Sequence, residues 1–215
     1  MTTAVDGSGL ASPLAGVQPI GSQPRVATPA AGVDLDAAEA AAAHLLGALG
    51  IDHRSEGMRD TPRRMARAYA ELFSAPAFDL TSVPNEEGYD ELVLARSIPL
   101  RSVCEHHLLP FVGVAHVGYL PGERILGLSK LARVVACFAA RPQVQERLTK
   151  QIAGWLDTRL GPKGVGVVIE AEHTCMTLRG VRGAGSSTVT STLLGILRAD
   201  QRSRQEFFTL TRGHG

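Results

Sequence analysis

The chain has 215 residues, with 22 Lys and Arg against 21 Asp and Glu and a formal net charge of +1, a balance that argues against a broad nucleic-acid-binding surface. At 44% hydrophobic and 20% charged residues it is too apolar to be disordered throughout, and its length suits one domain with an extension. No run approaches the roughly 18 apolar residues of a membrane helix, no basic region precedes an apolar core at the N-terminus, and three cysteines are too few and too odd a set for a disulfide framework, so a soluble cytoplasmic protein without membrane or nucleic-acid partners is expected.

Residues 1–33 carry only Asp6 and Arg25 as charges and hold prolines at 13, 19, 24 and 29, which predicts a disordered arm. Residues 34–90 form an N-terminal helical segment. Leu35, Ala38, Ala42, Leu45, Leu46 and Leu49 recur at helical spacing before Gly50, and Thr61 followed by Pro62 predicts an N-cap with proline at the first position of a second helix, with Met65, Tyr69, Leu72 and Phe73 on one face.

The remainder, 91–215, changes period. Strands are predicted over 91–100 and 111–120, the second with Phe111, Ala115, Val117 and Tyr119 on one parity, joined through 101–110. Ser129 can cap a helix carrying Leu131, Val134, Val135 and Phe138, and Pro142 can open another carrying Val144, Leu148, Ile152 and Trp155, stopped by Gly161. Further strands are predicted over 164–172 and 188–197 with extended chain at 174–181 between them, and a last helix from Asp200 to about Gly213. Strands pair within halves instead of alternating with helices, which gives an α+β fold with an antiparallel sheet and helices on one face. Its other face and its edges then need cover, and oligomerisation is one way to supply it.

Cys104-Glu105-His106-His107 places a thiol and an imidazole three positions apart between two strands, and His173-Thr174-Cys175 supplies another of each. In extended chain His173 and Cys175 share a face, with Thr177 and Arg179 continuing it. Two thiolates and up to three imidazoles favour Zn²⁺, and only three of the five need bind it. A three-ligand site keeps a position for water, whose pKa zinc lowers from 15.7 to roughly 7, and a spare histidine can move protons near neutral pH. The competing account makes these ordinary buried thiols and satisfied histidines. Cys137, on the apolar stripe of a helix, reads as core.

Ser129 and Lys130 stand at a helix N-terminus that favours phosphate, with Arg133 one turn on, although such cations also occur as a solvated face. Glu146 in Gln143-Val144-Gln145-Glu146-Arg147 can accept two parallel hydrogen bonds from a guanine edge, or pair with Lys150 at i,i+4. The run Arg59, Arg63, Arg64 and Arg67 is dipole-unfavourable at a helix start, which points faintly to an anionic partner.

These segments resemble the GTP cyclohydrolase I family. The likeness is carried by Cys104-Glu105-His106-His107-Leu108, by Gly127-Leu128-Ser129-Lys130-Leu131-Ala132-Arg133, by Arg141-Pro142-Gln143-Val144-Gln145-Glu146-Arg147-Leu148-Thr149 and by Glu172-His173-Thr174-Cys175-Met176, and it covers about residue 34 to the C-terminus. The resemblance implies the tunnelling fold, with sheets of several subunits joined into a barrel, and a homodecamer of two five-membered rings with active sites at subunit interfaces. It implies zinc on Cys104, His107 and Cys175, with His106 and His173 as acid/base groups and Ser129 near the sugar. It places Glu146 and Gln145 at the guanine, Lys130, Arg133 and Arg179 on the ribose triphosphate, and Arg64 on the triphosphate of a neighbouring subunit. The implied reaction is hydrolysis and rearrangement of GTP to 7,8-dihydroneopterin triphosphate with release of formate, the first step of tetrahydrofolate and pterin biosynthesis. A nitrile-reducing relative on the same fold would use a cysteine nucleophile and a nicotinamide cofactor, and a zinc-stabilised purine-binding module would not need His106 and His173.

Overall fold

The computed structural model describes Gln18–Pro19, residues 32–75, 77 and 81–212. The arm expected over 1–33 lies almost wholly outside these; Gln18–Pro19 is a two-residue strand, β1. Asp34 caps α1 (Leu35–Ala48) by accepting from the Ala37 N–H at 2.9 Å, and Gly50 follows at φ +76°. Of the apolar stripe only Ala42 and Leu46 are buried, while Leu45 and Leu49 face outward at 51% and 65% exposure. α2 (Thr61–Leu72) packs against α1.

Thr61 is the first helical residue of α2 and not its cap: its hydroxyl turns back to Met58 Sδ at 3.6 Å, and Asp60 takes the capping position. The Asp60 carboxylate pairs with Arg63 at 3.2 Å and Arg64 at 3.5 Å, which offsets the basic run at that helix start.

β2 (Thr81–Pro84) is followed by the long strands β3 (Val93–Cys104) and β4 (Pro110–Leu120), then by β5 (Arg124–Leu126). β1, β2 and β5 form a small three-stranded sheet that the sequence reading missed, because strands of two to four residues show no alternation to detect. α3 (Leu128–Ala139) starts after Gly127, so Ser129 is its second residue and not its cap.

Pro142 does not open a helix either. β6 (Pro142–Gln143) is extended and pairs in parallel with Val103 and Cys104, and α4 (Gln145–Leu160) begins only after Val144, ending at Gly161 in the left-handed region. β7 (Gly164–His173) runs into a single helical turn, α5 (Thr174–Thr177), where extended chain was expected. β8 (Thr188–Gly195), α6 (Ile196–Ala199) and α7 (Gln201–Arg212) complete the chain.

The main sheet has the order β6-β3-β4-β7-β8, antiparallel except at β6. Phe111, Ala115, Val117 and Tyr119 point from β4 into a core closed by α3 and α4 and are wholly buried, as their parity predicts. Helices are not confined to one face. On the other face Gly118 and Gly166 oppose each other across β4 and β7, and the Phe207 ring of α7 fills the space that two missing side chains leave.

A Cβ on Gly166 would stand 2.7 Å from that ring. Gly166→Ala is therefore expected to lower stability by about 1–3 kcal/mol through overpacking, read as a shift in the denaturant midpoint. An unshifted midpoint would mean that α7 can leave the sheet at no cost.

Candidate active site

The site gathers where β3 ends and β4 begins. The 105–109 connection is a tight loop: Cys104 N–H donates to Leu109 O at 2.8 Å, Leu108 N–H donates to Cys104 O at 2.8 Å, and Leu108 takes φ +53° to close it. This curl returns both imidazoles toward the thiol, with Nδ1 of His106 at 3.8 Å and Nδ1 of His107 at 3.9 Å from Cys104 Sγ. The phenol of Tyr69 on α2 donates to Leu108 O at 3.1 Å and ties the helical segment to the loop.

The second half arrives on β7, whose register sets His173 opposite Phe111. Thr174 Oγ1 donates to Pro110 O at 2.6 Å, and the α5 turn carries Cys175 back toward the loop. His173 and Cys175 come together through that turn, not through a shared strand face.

Ligand atoms of Cys104, His107 and Cys175 lie within 4.8 Å of one another. Burial, together with the neighbouring Cys104 thiol, pushes the Cys175 thiol above its ordinary range, with Arg179 opposing. A divalent cation held between these groups would bind the sulfurs as thiolates, and two sulfurs with one nitrogen suit zinc. Cys137 is buried in α3 outside this group, its thiol also pushed up by burial, in keeping with a core role.

His173 is half-buried, stacked on Phe111 at 4.5 Å between centroids, with Nε2 at 2.7 Å from Gln145 Oε1. Burial pushes its pKa below the usual histidine value, with the Glu146 carboxylate opposing. Gln145 itself is 2% exposed and its side-chain amide is engaged inside the fold, which leaves any ligand contact there to its backbone. Glu146, next to it in the first turn of α4, is exposed and, among the described residues, forms no ion pair with Lys150. Its carboxylate is close enough to His173 to be felt there.

Reasoning from sequence missed the Glu105–Arg147 ion pair. Arg147 also donates from Nε to Gln143 Oε1 at 3.1 Å, and Gln143 is fixed by donating to Phe138 O and Gln151 Oε1. The first turn of α4 thus grips the metal-site loop through Arg147 and His173 through Gln145. No spacing rule links Glu105 to Arg147; only the pairing of β6 with β3 brings them together. Ser129, Lys130 and Arg133 lie in the first turns of α3, with Ser129 and Arg133 exposed; Arg179, also exposed, follows α5, and Arg64 pairs with Asp60.

These features define an α+β protein with a Cys2His group that could hold a metal ion beside a half-buried imidazole. The GTP cyclohydrolase I family model matches residues 38–212. Similar proteins named GTP cyclohydrolase 1 occur in Mycobacterium ulcerans (54% identical over 189 residues, 86% of this chain and 94% of the relative), Corynebacterium glutamicum (52% over 186 residues, 84% and 95%) and Caldanaerobacter subterraneus (50% over 182 residues, 83% and 97%). The chain belongs to the GTP cyclohydrolase I family. Among the described residues no helix is long and apolar enough to cross a membrane.

Proposed function

We propose that this protein hydrolyses and rearranges GTP to 7,8-dihydroneopterin triphosphate with release of formate, the first step of tetrahydrofolate and pterin biosynthesis in the cytoplasm. The observation that carries this reading is the convergence of Cys104, His107 and Cys175 within 4.8 Å, beside His106 and His173, in a chain of this family. Zinc held by those three residues supplies a Lewis acid and lowers the pKa of water to roughly 7. The chain's own groups do the rest.

Glu146 accepts from the guanine N1–H and 2-amino group and fixes the base. His173 gives a proton to N7 as water adds at C8, the C8–N9 bond opens, and a second hydrolysis releases C8 as formate with His106 and His173 passing protons. Ser129 stands by the sugar as the ribose rearranges and the ring recloses. Lys130, Arg133 and Arg179 hold the triphosphate, a part of the substrate that does not react, and its binding energy keeps the base in register.

The same reading assigns Arg64 to a neighbouring subunit's triphosphate and the assembly to a homodecamer of two five-membered rings on the tunnelling fold. Two features support it. Among the described residues β8 pairs with β7 alone, and β6 pairs with β3 at Val103 and Cys104, so both sheet edges present backbone groups to further strands. Leu128, Leu178, Val181 and Val189 are each at least 60% exposed, apolar surface for other copies to cover.

The test is anaerobic incubation of zinc-loaded protein with GTP, following formate and, after oxidation, pterin fluorescence. Matching amounts of both are expected. His106→Ala is expected to keep zinc and GTP while formate release falls by at least about 100-fold. Retained release would refute its acid/base role, and absence of both products from wild-type protein with zinc and GTP bound would favour a non-catalytic purine-binding module.

A further inference from the structure

A closed ring of hydrogen bonds surrounds the amide of Gln145. Nε2 has two hydrogens for three acceptors, Thr188 O at 2.9 Å and Ile169 O and Thr190 Oγ1 at 3.1 Å each, so one hydrogen is shared between two of them. Thr190 Oγ1 lies 2.6 Å from Thr149 Oγ1, and Thr149 Oγ1 donates to the backbone carbonyl of Gln145 at 2.7 Å. Thr149 and Gln145 are 1% and 2% exposed, so no competing solvent hydrogen bonds are at hand.

The proton count gives the ring a direction. Thr149 spends its single hydroxyl proton on the Gln145 carbonyl, so at the contact between the two threonines it accepts and Thr190 donates. Thr190 then has only a lone pair to offer Gln145, which must present N–H there. A flipped amide would set its oxygen against two carbonyls and a hydroxyl whose proton is committed. Oε1 therefore faces His173, and at 2.7 Å the ring nitrogen Nε2 must carry the hydrogen. Nδ1 is left as the nitrogen that exchanges protons with a substrate.

We propose that Thr190, with Thr149, is a positioning residue: through the Gln145 amide it fixes the tautomer and orientation of His173. Thr190 touches neither the metal ligands nor His173, and acts from β8 across α4. The proposal rests on His173 being the proton donor of the reaction above.

The experiment uses full-length, zinc-loaded Thr190→Val, Thr190→Ser and Thr149→Val, with His173→Gln beside them. Thr190→Val keeps the shape and removes the hydroxyl. Its kcat is expected to fall about 10-fold, in line with the loss of a group that orients a functional imidazole, with KM for GTP, zinc content and unfolding midpoint nearly unchanged. Thr190→Ser restores kcat, and Thr149→Val repeats the loss. Wild-type kcat in both valine variants, or a fall in kcat that travels with KM and the unfolding midpoint and is not rescued by serine, overturns the proposal. If His173→Gln itself turns over like wild type, the role of His173 fails and the proposal with it. A dead His173→Gln beside fully active valine variants overturns the relay alone.

Discussion

Cys175→Ser is expected to give a folded protein that no longer retains its metal and whose formate release falls by well over 100-fold, more than the roughly 10–100-fold cost of disturbing a group that merely orients a ligand. Of the three proposed ligands Cys175 is the one that comes from the β7 side, delivered by the single turn of α5, while Cys104 ends β3 and His107 sits on the loop that follows. A serine hydroxyl does not ionise near neutral pH, and two ligands from one short segment make a weak chelate. Metal analysis of the purified variant and a formate assay check this together. Full zinc occupancy in the variant would reassign the third ligand to His106 or His173.

Gly113→Ala is expected to be the most damaging small change in the sheet. Gly113 on β4 opposes Ala171 on β7, and a Cβ there would collide with the carbonyl oxygen of Glu170 and stand 2.6 Å from Ala171 Cα and 2.8 Å from its Cβ. At Gly166 the obstacle is a ring that can tilt; at Gly113 it is the neighbouring backbone, which yields only if the strands separate. A loss of about 3 kcal/mol or more is expected, measured by chemical denaturation. The Phe111–His173 pair lies two residues along the same ladder, so whatever protein remains folded should also turn over more slowly. A loss under about 1 kcal/mol would show that β4 and β7 can part locally without penalty.

Periodicity made much of this architecture legible: the stripes of α3 and α4, and the inward parity of β4. It fell short wherever structure depends on partners distant in sequence. Pro142 was read as a helix start because proline favours one, but β3 offers its edge to Pro142–Gln143 and the tertiary pairing wins. The 174–181 segment, expected as extended chain between two strands, instead curls after His173 to bring Cys175 to the loop. Nothing in the spacing of α7 told that Phe207 would reach across to a pair of glycines. In the site, thiols and imidazoles were visible as chemistry, while the choice among three histidines came from family likeness. The hold of Gln145 on His173 joins α4 to β7, a relation that no local pattern encodes.

The topology of the Cys104, His107 and Cys175 group also bears on the order of events in folding. Cys104 and His107 form a local pair, but Cys175 reaches them only once β4 and β7 have aligned in full register. An unfolded chain offers zinc a two-ligand fragment and a solitary thiol, so the ion cannot serve as an early organiser. Zinc held there would contribute its binding energy at the end, after the slow long-range pairing is complete, and would act as a latch on a finished sheet, slowing the chain's escape from the native state without hastening its arrival.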